Sequence, residues 1–116
     1  MADDFKGVKD IMLQSSDSSV PYDFVFSPCS SATANDGSLP NGTSVSTVVV
    51  SAYKKDTNVV NTQIVTSSSV SSNTVTANLS FPSVAGTGWY GLTFVVTLDT
   101  GAIMEFDFNR IHAEAR

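Results

Sequence analysis

Apolar and polar residues alternate with a period of two through three successive runs between Val70 and Ile111. That period marks strands with one face on a core and the other in water. The first run sets Asn73, Val75, Ala77, Leu79 and Phe81 against Thr74, Thr76, Asn78 and Ser80. The second sets Tyr90, Leu92, Phe94, Val96 and Leu98 inward and Thr93, Val95 and Thr97 outward. The third sets Met104, Phe106 and Phe108 inward and Glu105, Asp107 and Asn109 outward. Between the first two, PSVAGTG (residues 82–88) suits a crossing from one sheet to another. Asp99-Thr100-Gly101 predicts a tight hairpin with Gly101 at positive φ.

Upstream the pattern is weaker. Residues 10–14 read as a short edge strand, because Gly7 and the run SSDSS leave no room for a stable helix. VPYDFVF (20–26) alternates Val20, Tyr22, Phe24 and Phe26 against Pro21, Asp23 and Val25, with Pro21 tolerated at a strand start or edge. TSVSTVVVSA (43–52) is a strand with a doubly apolar centre, Val48 to Val50. Lys54-Lys55-Asp56 makes a polar turn, and residues 57–66 form a weaker strand before the run SSSVSS. The stretch 27–42 is dense in turn formers and without periodicity; loops of that length tend to be functional or disordered. Seven or so short strands at turn-marked intervals predict an all-β fold, a single antiparallel β-sandwich of immunoglobulin-like character. Residues 1–9 form a flexible N-terminal arm, 10–111 the sandwich and 112–116 a loose tail. Trp89 and the row Tyr90, Leu92, Phe94 supply the packing that a disulfide often gives such domains, and Tyr90 is placed to be a corner tyrosine.

Composition narrows the chemistry. At 116 residues, 41% hydrophobic and only 15% charged, the chain is one domain whose polar surface is largely hydroxyl. A weakly charged, hydroxyl-rich surface suits packing against neighbours. The formal net charge is −5 and the pI about 4.4, and the six Lys and Arg form no stripe, which disfavours nucleic acid as a partner. Cys29 is the single cysteine, so no intrachain disulfide and no Cys-based metal site arises. An acidic N-terminus is unlike a signal peptide, and no run approaches the ~20 apolar residues of a membrane span. The expectation is a protein made in the cytoplasm of its producing cell, with no membrane partner.

Candidate catalytic residues are few. His112 lies beyond the last strand, where nothing orients a base. Cys29 has no basic neighbour in sequence. Glu105 and Asp107 point the same way from one strand about 7 Å apart, on a face that solvates them. No phosphate loop or metal-ligand cluster appears. The expectation is a protein that is not an enzyme and takes no cofactor or metal.

The order of elements then carries a resemblance. YDFVF, GTSVST, VSSNTVTANLS, AGTGWYGLTFVVTLDTG and EFDFNRI occur in the order seen in small immunoglobulin-like virion proteins of tailed bacteriophages, and the chain resembles that group over residues 21–111. Residues 43–47, 71–80 and 85–97 stand for the group's middle elements; Gly101 and 105–111 stand for its last. Phe26 stands where the group has a tryptophan, and the loop 27–39 is an insertion. The resemblance implies a structural protein of the virion, made in the host cytoplasm: a capsid decoration or cement protein present in many symmetric copies. Its partners would be the major capsid protein or other virion proteins. A head–tail connector, a tail or fibre accessory and a host-surface recognition module are the alternatives. Candidate partner contacts are Phe5 and Val8 on the arm and Val25, Val95 and Ile103 on strands. In the recognition alternative the loop 27–39, Lys54, Lys55 and Trp89 would sit together as one site.

Overall fold

The computed structural model describes residues 3–4, 10–56, 59–61, 64–83 and 86–114, with residues 3–4 and 59–61 described by their backbone pairing alone. Strands are the only regular secondary structure among them. In chain order they are β1 (Asp3–Asp4), β2 (Ile11–Gln14), β3 (Val20–Val25), β4 (Val45–Lys54), β5 (Val59–Asn61), β6 (Val65–Ser71), β7 (Thr74–Leu79), β8 (Gly88–Leu98) and β9 (Ile103–Glu114). They form two sheets. The larger runs β1-β9-β8-β4-β5, with β2 also on β9; the smaller runs β3-β7-β6. The all-β class and the two-layered sandwich match the alternation in the sequence.

The core between the layers is aromatic. Phe24 of β3 and Phe26 just beyond it face Phe94 of β8 and Phe106 and Phe108 of β9, all at most 1% exposed. Phe24 lies 4.9 Å from Phe94 and 5.3 Å from Phe108, centroid to centroid, and Phe26 lies 4.9 Å from Phe106, all tilted or edge-on. Such geometries set the positive edge of one ring against the negative face of another. No buried side-chain polar atom among the described residues lacks a partner.

Several elements differ from the sequence reading. The serine run was expected to be a connection and is strand β6, antiparallel to β7. Serine is a weak strand former by propensity, but β7 exposes a second edge that a neighbouring strand satisfies. Ser72 and Asn73 take φ of 47° and 69°, which makes a two-residue hairpin turn whose twist matches the flanking strands. The Asn73 side chain then accepts from the Val45 N–H at 2.7 Å and ties the hairpin to the larger sheet. The sheets are not wholly antiparallel: β1 and β2 both run parallel to β9. The tail expected to be loose from His112 is the end of β9, where Met12 pairs with His112 and Leu13 with Ala113, and Ala113 is fully buried. The hairpin at 99–101 forms as expected, with Gly101 at φ 90°.

Tyr90 is buried at the start of β8, and its hydroxyl donates to the Gly86 carbonyl four residues upstream at 2.6 Å. The bond pins the chain where it crosses from the smaller sheet to the larger. Burial pushes the phenol above its ordinary value, and the charge of Asp56 adds to the shift. Tyr90→Phe removes this bond without changing the core, and a loss of about 1 kcal/mol in urea denaturation is expected. Unchanged stability would mean that the corner is held by packing alone.

Candidate functional site

Side chains paired across neighbouring strands share a face, so the register of β4, β8 and β9 maps the outer surface of the larger sheet. Val49 sits opposite Val95, and Val95 opposite Glu105; Thr97 sits opposite Ile103. Val49 and Ile103 are 65% and 69% exposed, and Val95 is half-buried between its neighbours. Ile103 lies diagonal to Val95, about 7–8 Å apart in backbone position. Around them stand Thr47, Ser51, Thr93 and Thr97, and among the described side chains two charges border the three apolar residues, Glu105 opposite Val95 and Asp107 diagonal to it.

Farther along the same face, Tyr53 lies across β8 rather than out into water. Its hydroxyl donates to the two carboxylate oxygens of Asp107 at 3.1 and 3.0 Å. Its ring takes the room above Gly91, where a Cβ would sit 2.5 Å from the ring. The ring covers Gly91, within β8, which is why glycine stands there. Asp107 is therefore bound into a strand-spanning contact, whereas Glu105 remains exposed. The solvated pair expected from the sequence is thus two residues with different surroundings.

At the far end of the face, Trp89 is 46% exposed and stacks on His112 at 4.6 Å with an interplanar angle of 24°. Lys55 Nζ lies 6.0 Å from the indole centroid and donates to the Asn109 carbonyl at 3.3 Å. Trp89 was expected to pack the core and instead lies outside it. Strand parity explains this, since Tyr90 points inward and its neighbour must point out. His112 was expected to be a loose surface residue and is half-buried in the sheet.

The loop 27–42 is a knit structure. Leu39 N–H donates to the Ser27 carbonyl at 3.0 Å and Cys29 N–H to the Leu39 carbonyl at 2.8 Å, forming a parallel bridge between Pro28 and Leu39. Leu39 is buried at 1% exposure and anchors the loop in the core. Asp36 accepts from the Ser30 hydroxyl at 2.7 Å and the Ser30 N–H at 2.9 Å, and these bonds hold its carboxyl below the ordinary value of 3.8. A depressed carboxylate contributes stability that is whole above its unfolded value and is lost as the pH falls through the lowered one. The Ser30 amide is therefore expected to lose protection from hydrogen exchange only when the pH drops below that ordinary value. Loss of protection already at pH 5 to 6 would show that Asp36 does not hold the loop.

Of the five candidate contacts, Val95 and Ile103 come together, joined by Val49, which the sequence had placed in the apolar centre of its strand. Val25 is 60% exposed but belongs to the opposite layer. Phe5 and Val8 lie outside the described residues. The recognition grouping is only half assembled. Lys55 and Trp89 meet at one end of β8, but the loop 27–39 leaves β3 beside Asn73, next to Val45, which pairs with Leu98 at the other end. No group of three or more His, Cys, Asp or Glu among the described residues is arranged to hold a metal ion. In comparisons with protein-family models, curated proteins and solved structures, nothing matches this chain.

Proposed function

We propose that this chain is a non-enzymatic structural protein of a tailed-phage virion, a decoration or cement protein that binds the head shell through the outer face of its larger sheet. The observation that carries the attachment is the cluster Val49, Val95 and Ile103 on a hydroxyl-rich surface bordered by Glu105 and Asp107. Isolated exposed apolar residues are ordinary, but three adjacent ones on rigid strands lose their hydration together when a partner covers them. Strands hold them in place beforehand, so little ordering entropy is spent on binding. Repeated over symmetric positions, that binding stabilises a shell by mass action, because it favours the assembled state over the dissociated one.

An immunoglobulin-like fold is part of the same proposal. Its supports are the strand order β2-β9-β8-β4-β5 facing β3-β7-β6, the parallel β2–β9 pairing and the tyrosine-held corner before β8. The aromatic cluster fills the place of the disulfide. The test uses shells of the phage that encodes the chain. Val95→Glu with Ile103→Glu is expected to leave circular dichroism unchanged and to weaken shell binding by roughly 10-fold or more, since two buried carboxylates would go unpaired. Absence of the native protein from purified particles, or binding unaffected by the double substitution, would refute the proposal. A map placing it at the neck or tail would instead favour the connector and accessory alternatives.

A further inference from the structure

The edges of the two sheets are protected unequally. An open strand edge offers unpaired N–H and C=O groups, and proteins usually guard it with charge, proline or a covering segment. On the larger sheet, β1 and β2 lie along β9. On the smaller sheet β3 carries Pro21, which has no N–H to offer, and an exposed Asp23. The other edge of that sheet is β6, seven residues of sequence VTSSSVS with neither charge nor proline. Its four central residues, Thr66 to Ser69, are all exposed. Ser68 pairs with Ala77, which is fully buried, so Ser68 faces inward yet nothing covers it. Its neighbour across the mouth of the sandwich, β4 from Val45 to Ser51, is uncharged as well, because β5 covers only Ala52 to Lys54.

We infer that two copies of the chain join edge to edge through β6, antiparallel about a two-fold axis at Ser68, and make one six-stranded sheet from two three-stranded ones. The strand is compatible with itself in this arrangement. Ser67 faces Ser69 of the second copy, hydroxyl against hydroxyl, beyond the register irregularity between Val65 and Ser67, and no like charges stand in opposition. Charge selects the same side. Each copy carries −5, and Asp10, Asp17 and Asp23 lie on β3 or beside β2, whereas β6 is the opposite edge of the smaller sheet. Repulsion from these three acids is therefore small where β6 meets β6, because screening removes most of it beyond about 10 Å. A two-fold contact of this kind closes on itself and does not propagate into fibres. The inference does not depend on the virion reading; it concerns the free chain in solution.

Sedimentation equilibrium of the full chain over micromolar to millimolar concentrations tests it, together with hydrogen exchange at those amides of residues 67–71 that point away from β7. A dimer is expected, with those amides becoming more protected as concentration rises. Ser68→Lys brings two like charges together at the axis, and dimerisation should weaken by roughly 10- to 100-fold; Ser68→Glu should do the same. Because position 68 is exposed, both variants should keep the circular dichroism of the native chain. An equimolar mixture of the two should dimerise again. A native chain that stays monomeric throughout overturns the inference. So does a dimer that survives Ser68→Lys unchanged, and if Val49→Lys then dissolves that dimer, the contact lies on the larger sheet.

Discussion

Phe94→Ala is expected to cost about 3–5 kcal/mol, the range for removing a buried phenylalanine whose surroundings collapse only partly. Phe94 is fully buried and lies 4.9 Å from Phe24 and 5.9 Å from Phe26. It pairs across the larger sheet with Val50 on one side and Phe106 on the other. Its removal therefore takes edge-on partners from two rings of the opposite layer as well as its own buried area. Its ring partners Phe24 and Phe26 and its cross-strand neighbours Val50 and Phe106 are rings and a β-branched residue, which limits how far they collapse into the gap. Against the total of about 5–15 kcal/mol that holds an ordinary domain, this is a large share, and a fall in melting temperature of the order of 10–20 °C is expected. Urea denaturation of the native chain, Phe94→Ala and Phe94→Leu measures it, with leucine recovering much of the loss. A cost under about 1 kcal/mol for alanine would mean that the two layers do not meet at these rings.

Gly37→Ala is expected to cost about 1–3 kcal/mol, as overpacking does at a site that cannot yield. A Cβ at position 37 would fall against the Ser27 carbonyl oxygen and lie 2.6 Å from Pro28 C and 2.7 Å from Cys29 N. All three are backbone atoms, and the first and last are engaged in the bridge to Leu39. Relief of the clash must break that bridge or lift Leu39 from the core. The same displacement frees Cys29, whose Sγ rests 3.6 Å from the Gly37 carbonyl. Faster labelling of the Cys29 thiol and lost protection of the Cys29 and Leu39 amides are the expected signs. A variant with native labelling rate and native stability would show that the loop does not hold this close approach.

The candidate face was half legible in the chain. Val95 and Ile103 stand at outward positions of strongly alternating strands, so parity alone places them in water. Val49 sits in a run of three valines, where parity has no polar partner to mark which valine faces out. Pairing with β8 settles it: Ala52 lies opposite buried Leu92, which turns Val50 and Val48 inward and leaves Val49 beside Val95. Trp89 was legible by the same parity, and the expectation that so large an apolar residue must pack outweighed it. The loop 27–42 was not legible at all, because its order comes from Leu39 entering a core that other segments build.

What the sequence by itself determined is the all-β class, the inward rows of β7, β8 and β9, and the hairpin at Gly101. Each follows from local physics: strand side chains alternate, and a tight turn needs a residue that tolerates positive φ. The tertiary structure alone decided that the serine run is a strand, that β2 lies parallel to β9, and that residues 112–114 belong to the sheet. It also decided that three outward residues from three strands make one surface. These depend on which edge remains unpaired and on what covers each face, and both are properties of the assembled sheets. A strand with little alternation of its own, such as β6, takes its place because a neighbour's backbone requires a partner.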